Sequence, residues 1–240
     1  MLLYNIILLT LTLLRKIMQN LKDVTLCIVD CKNYDNAAKA ISYCANECNI
    51  KFKESIYFSD LKHKNLDKQN ILFKEIKKIK NTLEYDNFIL KELYKHINSD
   101  FVLVVQHDGI IYNQDMWTED FLKYDYIGSP WPHAPKFKNN VGNGGFSLRS
   151  KKFIDKVADF IGNDNCYEPE DVYCCETLCD QMISLKFKYA DILTAANFST
   201  ELRCTFSNID SFGFHHPIRN GFDIHKLFLK EIYENLYKDW

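Results

Sequence analysis

The chain has 240 residues, enough for one large α/β domain, and its 47% apolar and 26% charged residues are ordinary for a soluble globule. Lys and Arg total 30 against 32 Asp and Glu, interspersed, for a net charge of -2. That excludes the broad basic field nucleic-acid binders need, so no nucleic-acid partner is expected.

Met1 to Leu14 is nearly all apolar and ends at Arg15-Lys16. A spanning helix needs about 20 apolar residues, and a signal peptide carries its positive charge ahead of the apolar run and small residues at a cleavage point. The run reads as a dispensable extension ahead of a start at Met18, as a loosely packed helix, or as a short anchor. Residues 1–20 are therefore set apart from a domain over 21–240, and membrane contact is expected only if residues 1–14 anchor.

Val24 to Asp30 is a compact apolar run ending in an acid, the pattern of a buried first strand in a parallel sheet, with its carboxyl end toward a ligand. Asn33 to Cys48 carries Ala37, Ala40, Ile41, Cys44 and Ala45 on one helical face and leads to a second strand near Glu54 to Phe58, a βαβ start. Leu61 to Asn81 is lysine-rich and suggests only a short strand around Phe73 to Ile76. Tyr85 to Ile97 places Phe88, Ile89, Leu93 and Ile97 at helical intervals. It feeds the apolar strand Phe101 to Val105, which ends in the turn Gln106-His107-Asp108-Gly109.

A short helix is expected at Glu119 to Leu122. Tyr124 to Pro132, with Trp131 between two prolines, should run along the cleft edge, and His133 to Asn140 should form a loop able to close over a donor. In Val141-Gly142-Asn143-Gly144-Gly145-Phe146-Ser147, three of the chain's eight glycines fall within four positions. Glycine lacks a Cβ, so this backbone is expected to let something lie against it. Helices are predicted from Ser150 to Ile161 and from Pro169 to Leu185, the second opened by a proline and two acids, Glu170 and Asp171. Past Lys188 come a strand-helix stretch, Phe212-Gly213-Phe214-His215-His216 and a final helix from Phe222 to Tyr237.

The nine cysteines contain no CxxC pair. Cys44/Cys48 and Cys175/Cys179 have i,i+4 spacing that zinc ligands can use, but the set reads better as buried thiols of a reducing compartment. A cytoplasmic protein is expected, with anchoring through the N-terminus as the alternative.

Taken singly, Asp108-Gly109 is a common turn, Pro169-Glu170-Asp171 a helix cap, Asp30 a cap for the next helix and His215 a structural histidine. Their joint order on a βαβ scaffold is what singles them out. Tyr85-Asp86-Asn87-Phe88, Val104-Val105-Gln106-His107-Asp108-Gly109, Tyr124-Asp125-Tyr126-Ile127-Gly128, Gly142 through Ser150, Glu170-Asp171-Val172 and Phe212-Gly213-Phe214-His215 together resemble an uncharacterised glycosyltransferase-like domain family, over residues 24 to 216. Through it the chain resembles the GT-A superfamily, particularly its fringe and galactosyltransferase branch.

The resemblance implies a GT-A-like, Rossmann-type mixed sheet flanked by helices in a single α/β domain. It implies metal-dependent transfer of a sugar from a nucleoside-diphosphate sugar, a UDP-sugar first, to a hydroxyl on a glycan, lipid or protein, with inversion. Asp108 corresponds to the last acid of the metal motif and His215 to the late metal-binding histidine, around Mn²⁺ or Mg²⁺. Asp171 corresponds to the catalytic base, with Glu170 beside it to orient the acceptor. Asp30, His107, Trp131, Gly142, Asn143, Gly144 and Gly145 are expected to touch donor or acceptor. Gln106 departs from the pattern by standing where many relatives carry a first aspartate. That departure opens the alternative of a catalytically inactive carbohydrate-binding or scaffold protein on the same fold.

Overall fold

In the computed structural model, residues 18–131, 139–201 and 210–215 are described. The apolar run at the N-terminus, most of the loop predicted to close over a donor, Cys204, His216 and the final predicted helix lie outside the described residues.

The parallel start is present. Strand β1 (Gln19–Val29) pairs in parallel with β2 (Ile50–Ser59) on one side and β4 (Phe101–Val105) on the other, and β2 pairs in parallel with β3 (Leu72–Glu75). Two antiparallel strands, β7 (Phe146–Ser150) and β6 (Tyr126–Ile127), extend it to a six-stranded mixed sheet of order β3-β2-β1-β4-β7-β6. Alternation along β1 sends Leu26 and Ile28 into one core and Cys27 and Val29 into the other, so both sheet faces are covered. Helix α1 (Tyr34–Asn46) buries Ala37, Ala40, Ile41 and Cys44 on the first face. Helices α2 (Thr82–Lys91) and α3 (Lys151–Ile161) supply Ile89, Leu90, Phe153, Ile154 and Val157 to the second. Asn81 caps α2 by accepting the Glu84 N–H, and Ser150 caps α3 by accepting that of Phe153.

Several elements differ from expectation for identifiable reasons. β1 begins five residues before the predicted Val24, because Gln19–Leu21 pair with Ile50–Phe52 across a register shift that the polar Lys22-Asp23 hides from a hydrophobicity count. Strand β7 is absent from the predicted elements: its Phe146-Ser147-Leu148-Arg149 alternation is short and follows directly on the glycine run, and its polar members Ser147 and Arg149 are buried along with its apolar ones. The helix expected over Tyr85 to Ile97 ends at Lys91 and passes into a 3₁₀ turn at Leu93–His96. The helix expected over Pro169 to Leu185 is in three pieces. α4 (Glu170–Val172) leads into a π turn (Tyr173–Thr177), where the Leu178 N–H bonds to the Tyr173 carbonyl at 2.9 Å, and α5 (Cys179–Ser184) resumes beyond it. Pro169 is the N-cap rather than the first helical residue.

A second sheet carries the C-terminal histidine. Helix α6 (Ile192–Phe198), capped by the Asp191 carboxylate, delivers β8 (Ser199–Thr200), which pairs in parallel with β9 (Gly213–His215). β9 in turn pairs antiparallel with β5 (Gly109–Ile111), placing Gly109 opposite His215. This small sheet rests on an aromatic cluster: the Phe212 ring lies 5.2 Å from Trp117, 5.9 Å from both Phe146 and Phe198, and 6.3 Å from Phe121. All eight described cysteines are buried. Cys44 accepts the Ile111 N–H through its sulfur, and among the described residues no group of three or more His, Cys, Asp or Glu is arranged to hold a metal. Among the described residues, too, no helix is long and apolar enough to cross a membrane.

Because Phe212 is wholly buried among four rings, Phe212→Ala is expected to cost about 3–5 kcal/mol in urea denaturation. A loss below about 1 kcal/mol would show that the small sheet does not depend on this cluster.

Candidate active site

β1 and β4 are adjacent and parallel, so Asp30 and the Gln106-His107-Asp108 turn leave the same edge of the sheet, where open α/β sheets bind ligands. The β4–β7 register pairs Val105 with Phe146, which brings the glycine run beside Gln106. The β5–β9 pairing then brings His215 to the same point. Its Nε2 lies 3.4 Å from Asp108 Oδ1 and 3.0 Å from Gln106 Oε1, while its Nδ1 is 3.8 Å from Glu201 Oε1. Burial works against a charged imidazole here, but the carboxylates of Asp108 and Glu201 outweigh it and push His215 up to about 9.

Asp30 has two tasks. Its Oδ1 accepts the backbone N–H groups of Lys32 and Asn33 at 2.7 and 2.6 Å, which fixes the turn into α1, and its Oδ2 lies 3.3 Å from His107 Nδ1. Burial raises the Asp30 carboxyl, but these donors more than offset it and the net shift is downward. His107 moves the opposite way: burial lowers it, and Asp30 and Asp108 together raise it.

The glycine run is crowded as expected, but by the protein's own side chains. A Cβ on Gly142 would run into the Trp131 ring, one on Gly144 into the Glu170 carboxylate and one on Gly145 into the His215 imidazole. The close approach these positions require is therefore taken up by three residues of the site, while Gly144 and Gly145 still line the cleft. Just before them Asn143 adopts a left-handed conformation with φ of 65°. Its side-chain Oδ1 accepts the Gly145 N–H at 3.0 Å, and its own N–H donates to Asp171 Oδ2 at 3.1 Å.

Glu170 and Asp171 are neighbours with different surroundings. Glu170 is 3% exposed and forms a two-pronged pair with Arg149, Nη1 to Oε2 and Nη2 to Oε1 both at 2.8 Å. Arg149 is also buried and stacks 5.0 Å from the centroid of the Tyr126 ring. Glu170, expected to orient an acceptor, has its carboxylate committed to this pair. Asp171 lines the cleft and accepts the N–H groups of Asn143 and Val172.

Three acids in the cleft, Asp86, Glu168 and Glu201, were given no role by the sequence, and Asp86 is the one tied to Glu170. Asp86, on α2, accepts the Glu170 N–H at 3.2 Å through Oδ1, and burial pushes its carboxyl up to about 6. Its motif was visible as Tyr85-Asp86-Asn87-Phe88. Tyr85 lines the cleft, Asn87 clamps both the N–H and the carbonyl of Cys166 at 3.1 and 3.0 Å, and Phe88 packs on the core.

The cleft has two lobes that share Thr82, Tyr85 and Gln106. The larger, of about 490 Å³, is lined by Asp86, Trp131, Asn143, Gly145, Asp171 and His215 among others. The smaller, of about 290 Å³, is bounded by Asp30, Lys32, Asn33, Lys80 and His107. Both are of the size that holds small ligands.

Asp108 and His215 are donors of the kinds that bind a hard divalent cation, but among the described residues they belong to no group of three or more His, Cys, Asp or Glu arranged to hold one. Two adjacent ligands about 2.1 Å from a common ion stand near the observed 3.4 Å separation, and the Gln106 amide oxygen offers a third donor beside them. One carboxylate with one imidazole suits Mn²⁺, and Mg²⁺ is commonly held by one or two carboxylates with substrate phosphates completing its shell.

The backbone fold is similar to that of solved glycosyltransferases. The glycosyltransferase GlyE of Streptococcus pneumoniae TIGR4 superimposes with a TM-score of 0.51 at 10% identity, over 89% of this chain and 62% of its own. A glycosyltransferase involved in glycosylating the major capsid of PBCV-1 gives 0.49 at 10% identity, over 87% and 98%. The mannosyltransferase PcManGT of Pyrobaculum calidifontis, solved with GDP-Man and Mn²⁺, gives 0.44 at 10% identity, over 71% and 55%. The chain thus spans about 55–62% of the length of PcManGT and GlyE. The fold is GT-A-like: a Rossmann-type mixed sheet flanked by helices, as in glycosyltransferases.

No curated protein matches the sequence. By its sequence the chain belongs to the DUF5672 family, described as proteins of unknown function, whose profile matches residues 33–215.

Removing Arg149 would leave the Glu170 carboxylate buried and uncompensated. Arg149→Met is expected to lower stability by about 3–5 kcal/mol in chemical denaturation. A loss under about 1 kcal/mol would mean that the pair does not hold α4 against the sheet.

Proposed function

We propose that this protein is a metal-dependent glycosyltransferase that moves a sugar from a nucleoside-diphosphate sugar to a hydroxyl acceptor, with inversion. Asp108, Gln106 and His215 converge beside the junction of the two lobes, with Asp171 on the wall of the larger one; this convergence is what carries the reading. A UDP-sugar is the first donor to try, and the motif order favours the fringe and galactosyltransferase branch. The acting domain is the one over 21–240, and buried thiols favour a cytoplasmic setting.

In this reading the nucleoside enters the smaller lobe beside Asp30, with Lys32 and Lys80 at hand for phosphate charge. Asp108 and His215 hold the cation, Mn²⁺ or Mg²⁺. When bound, it neutralises the charge that develops on the departing diphosphate. Asp171, steadied by the N–H groups of Asn143 and Val172, takes the proton of the acceptor hydroxyl as that oxygen attacks the anomeric carbon. Glu170 acts through position: its pair with Arg149 holds α4 so that Asp171 faces the cleft. Trp131, seated on Gly142, offers an aromatic face to a sugar.

Gln106 in place of a first aspartate supports a second reading, a carbohydrate-binding protein on this fold that has lost turnover. Purified protein incubated with nucleotide sugars and Mn²⁺ separates the two. Donor cleavage or transfer is expected, falling about 10²–10⁴-fold in Asp171→Asn while nucleotide binding persists. Saccharide binding unaffected by chelator and by Asp171→Asn, with no cleavage of any nucleotide sugar, would favour the second reading.

A further inference from the structure

The charges in the cleft are unevenly divided. The smaller lobe is bounded by Lys32, Lys80 and His107 along with Asp30. Among the described residues, the larger lobe has no lysine or arginine in its lining and carries Asp86, Glu168, Glu170, Asp171 and Glu201. Two of these acids are engaged with cations or a cation-forming ring: Glu170 with Arg149, and Glu201 with His215. Asp86, Glu168 and Asp171 accept neutral N–H or O–H donors instead. An acid in a ligand would be set against these three.

A second observation points to a ligand of the opposite polarity. Asn143, 3% exposed, lines the same lobe, and its side-chain Nδ2 has no hydrogen-bond partner although its Oδ1 is used by Gly145. A buried amide donor without an acceptor costs stability unless something supplies one. Tyr85 and Trp131 are among the residues that line the lobe. A hydroxyl-rich ring satisfies all three features at once: its oxygens accept from Asn143, its O–H groups donate to the carboxylates, and its C–H faces pack on the aromatics.

Building on the transferase reading, we propose that the larger lobe selects a neutral or amine-bearing saccharide as acceptor and rejects saccharides carrying carboxylate, phosphate or sulfate. Like-charge juxtaposition with Asp86, Glu168 and Asp171 supplies the rejection, and Asn143 Nδ2 anchors an acceptor oxygen.

The test is ligand-observed NMR and calorimetry on the full chain with UDP and Mn²⁺ present. It uses a panel of glycosides paired by size, such as methyl glucoside, methyl glucosaminide and methyl glucuronide, extended to disaccharides. The neutral or amine-bearing member of each pair is expected to bind about tenfold or more tightly than its acidic counterpart. Asp86→Asn combined with Glu168→Gln should narrow that gap, and Asn143→Asp, which keeps the acceptor for Gly145, should weaken neutral saccharides about tenfold. UDP titration of each variant checks the fold and the smaller lobe. Acidic members binding as well as neutral ones, no saccharide binding at all, or a gap unchanged in the double variant would each overturn the inference. The nucleotide result is read separately: UDP binding without saccharide selectivity sinks this inference alone. Selectivity without nucleotide binding sinks the transferase reading and leaves the lobe's preference standing.

Discussion

The buried pair between Arg149 and Glu170 is the constraint on which the site's geometry rests. Taking two charges out of water costs several kcal/mol each, and only a fully satisfied geometry offsets that cost. Here Nη2 donates to Oε1 at 2.8 Å, Nη1 makes an ion-pair contact with Oε2 at the same distance, and the Tyr126 ring lies beneath. Arg149 belongs to β7, the strand hydrogen-bonded to β4, whereas Glu170 opens α4. The pair therefore fixes the start of that helix against β7, the neighbour of the strand that runs into Gln106. Gly144 is the space this requires, since any Cβ there would occupy the position of the Glu170 carboxylate. Asp86 adds a third tie by accepting the Glu170 N–H from α2.

A separate device brings His215 to the same place. It is delivered by the pairing of β5 with β9, and that pairing sits on the rings of Phe212, Trp117, Phe121, Phe146 and Phe198. Hydrophobic burial thus stabilises a polar contact it never touches. Gly145 plays the part for His215 that Gly144 plays for Glu170. The glycine run is best understood as the surface on which three separately anchored side chains, Trp131, Glu170 and His215, are laid down together.

Much of this architecture was legible in the residues, and the illegible parts have physical causes. β4 matches its apolar run residue for residue, and α1 and α3 follow their 3.6-residue stripes, because burial on one face leaves a periodic trace. β7 left only a four-residue alternation beside the glycine run, and nothing in it showed that Ser147 and Arg149 are buried as deeply as Phe146 and Leu148, because the Glu170 that pairs with Arg149 lies on another element. The interruption of the α4–α5 segment was invisible for a related reason: a π turn keeps helical composition while changing the hydrogen-bond step. The glycine cluster announced a close approach but not by what, because the partners lie on other elements. Asp86 could be seen as part of a motif, yet its place beside Glu170 and its raised carboxyl come from packing alone.

The account stands on the claim that Asp108 and His215 hold one divalent cation together with a nucleoside diphosphate. Electron paramagnetic resonance of Mn²⁺ titrated into the protein tests it directly. The free-ion signal should fall on addition of protein with UDP or another nucleoside diphosphate, and should be restored in Asp108→Asn and His215→Ala variants that remain folded. A wild-type protein that takes up no Mn²⁺ with any nucleoside diphosphate, or variants that take it up as well as the wild type, would contradict the account.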